Sequence, residues 1–133
     1  MVAEEEKKME IPDPIRQSLE EIGGLEGISS SLPSDEEILR VSKTFHAISD
    51  PLRVKILLIL RKQPLCVCLI KALTSVQDSK LSYHLAILKD AGLIIGKQEA
   101  NWIIYSVTEF GEKLLSALPS IFHEEADLNR SRE

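Results

Sequence analysis

The sequence predicts a mostly α-helical α+β fold carrying one β-hairpin, in a chain of 133 residues. Apolar residues recur at spacings of three and four along most of the chain from Ile15 onward. Helix-capping residues stand ahead of several of these runs. Two β-rich runs, Leu93-Ile94-Ile95 and Trp102 to Val107, flank a polar stretch. The length suits about one domain, and 44% apolar content is enough for one packed core.

Glu4, Glu5, Glu6, Lys7 and Lys8 form a solvated charge run ahead of Pro12 and Pro14. Ile15, Leu19 and Ile22 then mark a short helix that Gly23-Gly24 ends, and 27–33 is a small-residue linker. Ser34 with Glu37 has the capping-box form, so a helix begins there, and Ile38, Val41, Phe45 and Ile48 give it one apolar stripe through Ser49. Asp50-Pro51 starts the next helix, the aspartate as N-cap and the proline at the first turn, where its missing N–H costs nothing. That helix is largely apolar, with Arg53, Lys55, Arg61 and Lys62 as its polar surface.

After Pro64 a third helix, 65–73, carries both cysteines, and Thr74-Ser75 is a turn. A fourth helix runs from Gln77 or Asp78 to Lys89, with Leu81, Leu85 and Leu88 inward and Gly92 at the left-handed C-cap position. The hairpin follows, with 96–101 as its polar tip. Thr108 caps a last helix bearing Phe110, Leu114, Leu115, Leu118, Ile121 and Phe122, interrupted or kinked near Pro119. Four or five helices and one hairpin in this order form a winged helix-turn-helix. The expected division is an acidic N-terminal extension with one short helix (1–33), a winged helix-turn-helix domain (34–125) and a C-terminal tail (126–133).

The net charge of −5 conceals a segregation: residues 1–37 carry −8, residues 38–107 carry +6 and residues 108–133 carry −3. A basic centre suits a nucleic-acid binder, because the local field at the contact surface outweighs the total. On the second helix of the helix-turn-helix, Gln77, Ser79, Lys80, Ser82, Tyr83 and His84 supply amide, hydroxyl and cationic groups for base edges or phosphates. The alternative is a merely solvated helix face, and His84 can equally hydrogen-bond within the domain or touch phosphate. Lys97 in the hairpin can reach a phosphate, although Glu99 beside it weakens the wing.

No apolar run approaches the roughly 18 residues of a membrane span, and Met1 to Glu10, with its four glutamates, lacks a signal-peptide core. A cytoplasmic protein with no membrane partner is expected. The three histidines, 46, 84 and 123, are scattered, and no loop cradles phosphate, so no enzyme is expected. His46 lies on the stripe side of its helix and reads as a packed or interface residue.

Three segments, Phe45 to Leu57 (FHAISDPLRVKIL), Leu65 to Leu69 (LCVCL) and Leu81 to Ile94 (LSYHLAILKDAGLI), resemble in order and interval the ArsR/SmtB family of winged-helix repressors. The resemblance spans roughly Ile38 to Leu118 and implies a homodimeric prokaryotic repressor that leaves its DNA operator when a metal, metalloid or redox signal arrives. It also implies dimerisation through the Ser34–Ser49 and Thr108–Phe122 helices, whose apolar stripes need a partner surface. The residues before Ser34 exceed what many members carry, and the resemblance implies nothing for them.

Leu-Cys-Val-Cys-Leu is similar to the arsenite-sensing subgroup, which makes Cys66 and Cys68 the candidate metal ligands and arsenite, antimonite or another soft ion the candidate effector, with no cofactor required. Lys71 stands where that subgroup has its third cysteine. Residues two apart on a helix lie roughly 200° apart, so one ion is expected to bind both thiols only by distorting the helix. Two other readings remain: small hydrophobes facing the core, or redox-sensing thiols whose pKa Lys71 lowers. The family's further zinc site on the last helix needs an Asp-x-His pair near Phe110 and Glu112 that is absent, so His123 reads as a surface residue. A winged helix used for protein interaction, or a repressor without effector, completes the alternatives.

Overall fold

The computed structural model describes residues 2–118. Ten elements precede a final helical stretch: α1 (Val2–Lys8), α2 (Asp13–Glu21), α3 (Gly24–Ser31), α4 (Asp35–Ala47), α5 (Pro51–Lys62), β1 (Leu65–Cys66), α6 (Val67–Thr74), α7 (Asp78–Asp90), β2 (Ile94–Glu99) and β3 (Trp102–Val107). Residues 109–118 form α8. Pro119, Ile121, Phe122 and His123 lie outside the described residues. Two compact units divide the chain, the first ending at Arg40 and the second beginning at Val41.

The first unit departs from expectation twice. The Glu4–Lys8 charge run is helical, as α1, and its Glu6 carboxylate accepts the Leu25 N–H at 3.0 Å, supplying the first turn of α3 with an acceptor its own sequence lacks. The expected linker lies mostly within α3, which restarts from Gly23 in the left-handed region (φ 92°). Gly27 permits this, because any Cβ there would collide with the Ile22 carbonyl. Of the Ile15, Leu19 and Ile22 stripe, only Leu19 is buried.

In α4 the capping box forms as expected, the Glu37 N–H donating to Ser34 Oγ at 3.2 Å and the Ser34 N–H to the Glu37 carboxylate at 3.3 Å. Its Ile38, Val41 and Phe45 stripe is exposed.

The second unit buries its core where α5, α6, α7 and α8 converge, on Ile56, Leu57, Ile70, Leu81, Leu88 and Leu115. Asp50 caps α5, its carboxylate accepting the Leu52 N–H at 2.8 Å and the Arg53 N–H at 3.4 Å. Burial alone would raise the Asp50 pKa, but these N–H groups and the nearby Arg53 guanidinium hold it below the ordinary value. Thr108 Oγ1 accepts the Gly111 N–H at 3.0 Å and starts α8 as expected, and Arg61 of α5 clamps that helix through Glu112 at 2.9 Å. Gly92 takes φ 74°, as its C-cap role requires.

The sheet has three antiparallel strands in the order β1-β3-β2. The ladder of β2 and β3 continues through Lys97–Ile104, Gln98–Ile103 and Glu99–Trp102, so the expected polar tip is strand, and the turn is only Ala100 and Asn101. Leu65 and Cys66 pair with Tyr105 and Ile104. The expected helix from Leu65 therefore begins two residues later, because an edge of β3 is available to pair with that segment.

Candidate nucleic-acid interface and thiol site

Helix α7 presents an inward row of Leu81, His84, Leu85 and Leu88 and an outward face on which Gln77, Ser79, Lys80, Ser82 and Tyr83 are exposed. Gln77, at the N-cap, makes no side-chain cap bond. Amide, hydroxyl, phenol and ammonium groups thus share one solvent face of a 13-residue helix preceded by α6 and a tight turn at Ser75 (φ 57°). Lys97 is also exposed, in the middle of β2.

His84 does not belong to this face. It is 4% exposed, because position 84 falls at helical spacing among the buried leucines, and that spacing is the signal which places it inward. Its Nδ1 lies 2.9 Å from an Arg53 guanidinium nitrogen. Arg53, read from sequence as surface, is itself buried, and its other nitrogens donate to the carbonyls of Ala47 at 2.7 Å and His46 at 3.0 Å. The 53, 56, 57, 60 spacing of α5 puts this arginine on the inner face with the core aliphatics. His46, by contrast, is exposed in the protomer.

The cysteines sit where strand passes into helix. Cys66 ends β1 as the extended N-cap of α6 (φ −75°, ψ 160°), while Cys68 lies within the first turn. Their sulfurs are 2.7 Å apart. The expected separation around a helix does not exist, since Cys66 is not helical, and both thiols face one point with α6 intact. Cys66 is half-buried and Cys68 exposed, so neither is a core-facing hydrophobe.

A hydrogen bond from Cys68, helped by the Leu69 N–H of the first turn, lowers the Cys66 pKa, although the side chain forms no complete cap bond. The same pairing raises that of Cys68. Cys68 borders an open groove of about 510 Å³ that reaches Lys71, Val76 and Gln77. Lys71 pairs with Asp78, the first residue of α7, at 2.8 Å, a link from the thiol helix to the outward-facing helix that the sequence did not disclose. Among the described residues no three or more His, Cys, Asp or Glu side chains converge to hold a metal.

The comparisons agree with this architecture. A homodimeric winged helix-turn-helix DNA-binding domain from Mycobacterium bovis superposes with a TM-score of 0.65 at 22% identity, covering 73% of this chain and 94% of that one. The fold is that of a winged helix-turn-helix domain.

Residues 50–95 match the model of the bacterial regulatory protein arsR family. The arsenical resistance operon repressor of Bacillus subtilis is 37% identical over 75 residues, 55% of this chain and 71% of that protein. A cadmium resistance transcriptional regulatory protein CadC homolog of Staphylococcus aureus is 34% identical over 70 residues, 52% of this chain and 58% of that protein. The chain belongs to the ArsR family. Among the described residues no helix is long and apolar enough to cross a membrane.

Proposed function

We propose that this DNA-binding transcriptional repressor works as a homodimer that reads duplex DNA with Gln77, Ser79, Lys80, Ser82 and Tyr83, and leaves it when a soft ion is captured by Cys66 and Cys68. Lys97 adds a phosphate contact from the hairpin. The observation that carries the reading is the thiol pair, 2.7 Å apart and joined to the start of α7 by Lys71–Asp78. Soft thiolates select soft ions, and the relatives named for arsenical and cadmium resistance fit that chemistry. The lowered pKa of Cys66 favours the thiolate that an ion requires.

Capture spreads the two sulfurs and shifts the N-terminus of α6, and the Lys71–Asp78 pair passes that shift to α7. A displacement of about 1 Å at a reading helix takes a hydrogen bond of about 2.9 Å out of range and so spoils a bidentate base contact. Dimerisation uses α4 and α8, where Val41, Phe45 and Phe110 are exposed apolar side chains in the protomer. The paired sulfurs also favour a second reading, oxidation to a disulfide by a peroxide-class oxidant.

The test is titration of the reduced protein on DNA from its own upstream region, with and without arsenite, antimonite, cadmium, zinc or a mild thiol oxidant. Release by a soft ion that requires both cysteines is expected. Release by the oxidant alone would make the pair a redox switch, and binding indifferent to every addition would refute effector control at these residues.

A further inference from the structure

The end of α4, α5 and α7 meet at a buried polar junction that neither the DNA-reading face nor the thiol pair uses. Arg53 and His84 are 5% and 4% exposed. The guanidinium donates to the Ala47 carbonyl at 2.7 Å, the His46 carbonyl at 3.0 Å and His84 Nδ1 at 2.9 Å. Guanidinium is protonated at every physiological pH and accepts nothing, so Nδ1 must be the acceptor and the imidazole must be neutral, with its proton on Nε2. A second proton on Nδ1 would set N–H against N–H inside the fold, with two cations about 3 Å apart.

We propose that Arg53 is a positioning residue for DNA recognition: through neutral His84 it ties α7 to the end of α4, and protonation of His84 releases the tie. The inference rests on α7 being the DNA-reading helix. Three charged groups face the imidazole. Asp50, the α5 cap, favours its protonation, while Arg53 of α5 and Lys80 of α7 oppose it. Burial opposes it more than either, so the ring titrates below its ordinary value of 6.5. From α4, Lys43 and His46 line a neighbouring cleft with Asp90 of α7.

The experiment measures the affinity of the full-length protein for duplex DNA from its own upstream region at about pH 7.5 and about pH 5.5, for wild type and His84→Asn. Asparagine places Oδ1 where Nδ1 stood, keeping an acceptor for Arg53 but removing the titration. The wild-type Kd should rise about tenfold or more on acidification, the equivalent of one hydrogen bond to a charged group, while the ratio for His84→Asn stays near one. A pH-independent wild type, or equal ratios in the two proteins, overturns the proposal, because other titrating groups such as His46 would then account for the change.

If neither protein binds that duplex, the DNA reading fails separately, and amide hydrogen exchange of α7 without DNA decides the junction. Lower protection in wild type than in His84→Asn at about pH 5.5, with equal protection at about pH 7.5, supports it. Equal protection at both overturns it.

Discussion

The spacing of the two sulfurs makes a quantitative prediction about effector capture. Two thiolates on one tetrahedral centre with metal–sulfur bonds of about 2.3 Å stand about 3.8 Å apart. The observed separation is 2.7 Å, so both ligands reach one ion after opening by about 1 Å at the junction of β1 and α6, a shift of the start of α6 that leaves it helical. Were Cys66 and Cys68 both helical, the same capture would require unwinding the first turn of a helix only eight residues long. Cadmium titration followed by sulfur-to-metal charge-transfer absorption, with far-ultraviolet circular dichroism on the same samples, separates these cases. One equivalent per protomer is expected, with the absorption lost in Cys66→Ser and in Cys68→Ser and the helical ellipticity unchanged. Ellipticity falling in step with the absorption, or absorption surviving Cys68→Ser, would refute the geometric reasoning.

Lys80→Ala should weaken binding to every DNA sequence alike and reduce the slope of log affinity against log salt by about 1, since it removes one phosphate contact. An unchanged slope in anisotropy titrations at several salt concentrations would remove Lys80 from the interface. Asp50→Ala should cost about 1 kcal/mol in urea unfolding at neutral pH through loss of the α5 cap. Because the folded Asp50 pKa lies below that of the unfolded chain, this contribution is present above about pH 4 and disappears as the pH falls through the folded value. The wild-type and variant stabilities should therefore converge in acid, and a constant difference down to the lowest pH would contradict the assignment.

Where the determinant is local, residues a few positions apart reveal it. Ser34 with Glu37, Asp50 with Pro51, Thr108 ahead of α8 and Gly92 after α7 all act as the sequence indicates, because a cap is a contact between a side chain and backbone within one turn. The inward leucines of α7 were legible for the same reason, and so was the outward face carrying Gln77, Ser79, Lys80, Ser82 and Tyr83. His84 was legible in principle, since its spacing from Leu81, Leu85 and Leu88 outweighs its polarity once an internal partner exists. That partner, Arg53, is remote in sequence, and nothing near either residue announces the pair.

The sequence by itself determined the helix-turn-helix, the hairpin and the family, because caps, periodicity and spaced motifs are properties of short segments. Only the tertiary structure decided that Leu65 and Cys66 form a strand, through pairing with Tyr105 and Ile104. That one long-range pairing moves Cys66 out of the helix and brings its sulfur to Cys68. It also took the folded chain to make helices of the acidic N-terminus, where Glu6 reaches Leu25, and to bury Arg53 against His84. Each of these depends on groups that folding alone brings within hydrogen-bond distance, and local propensity carries no information about such encounters.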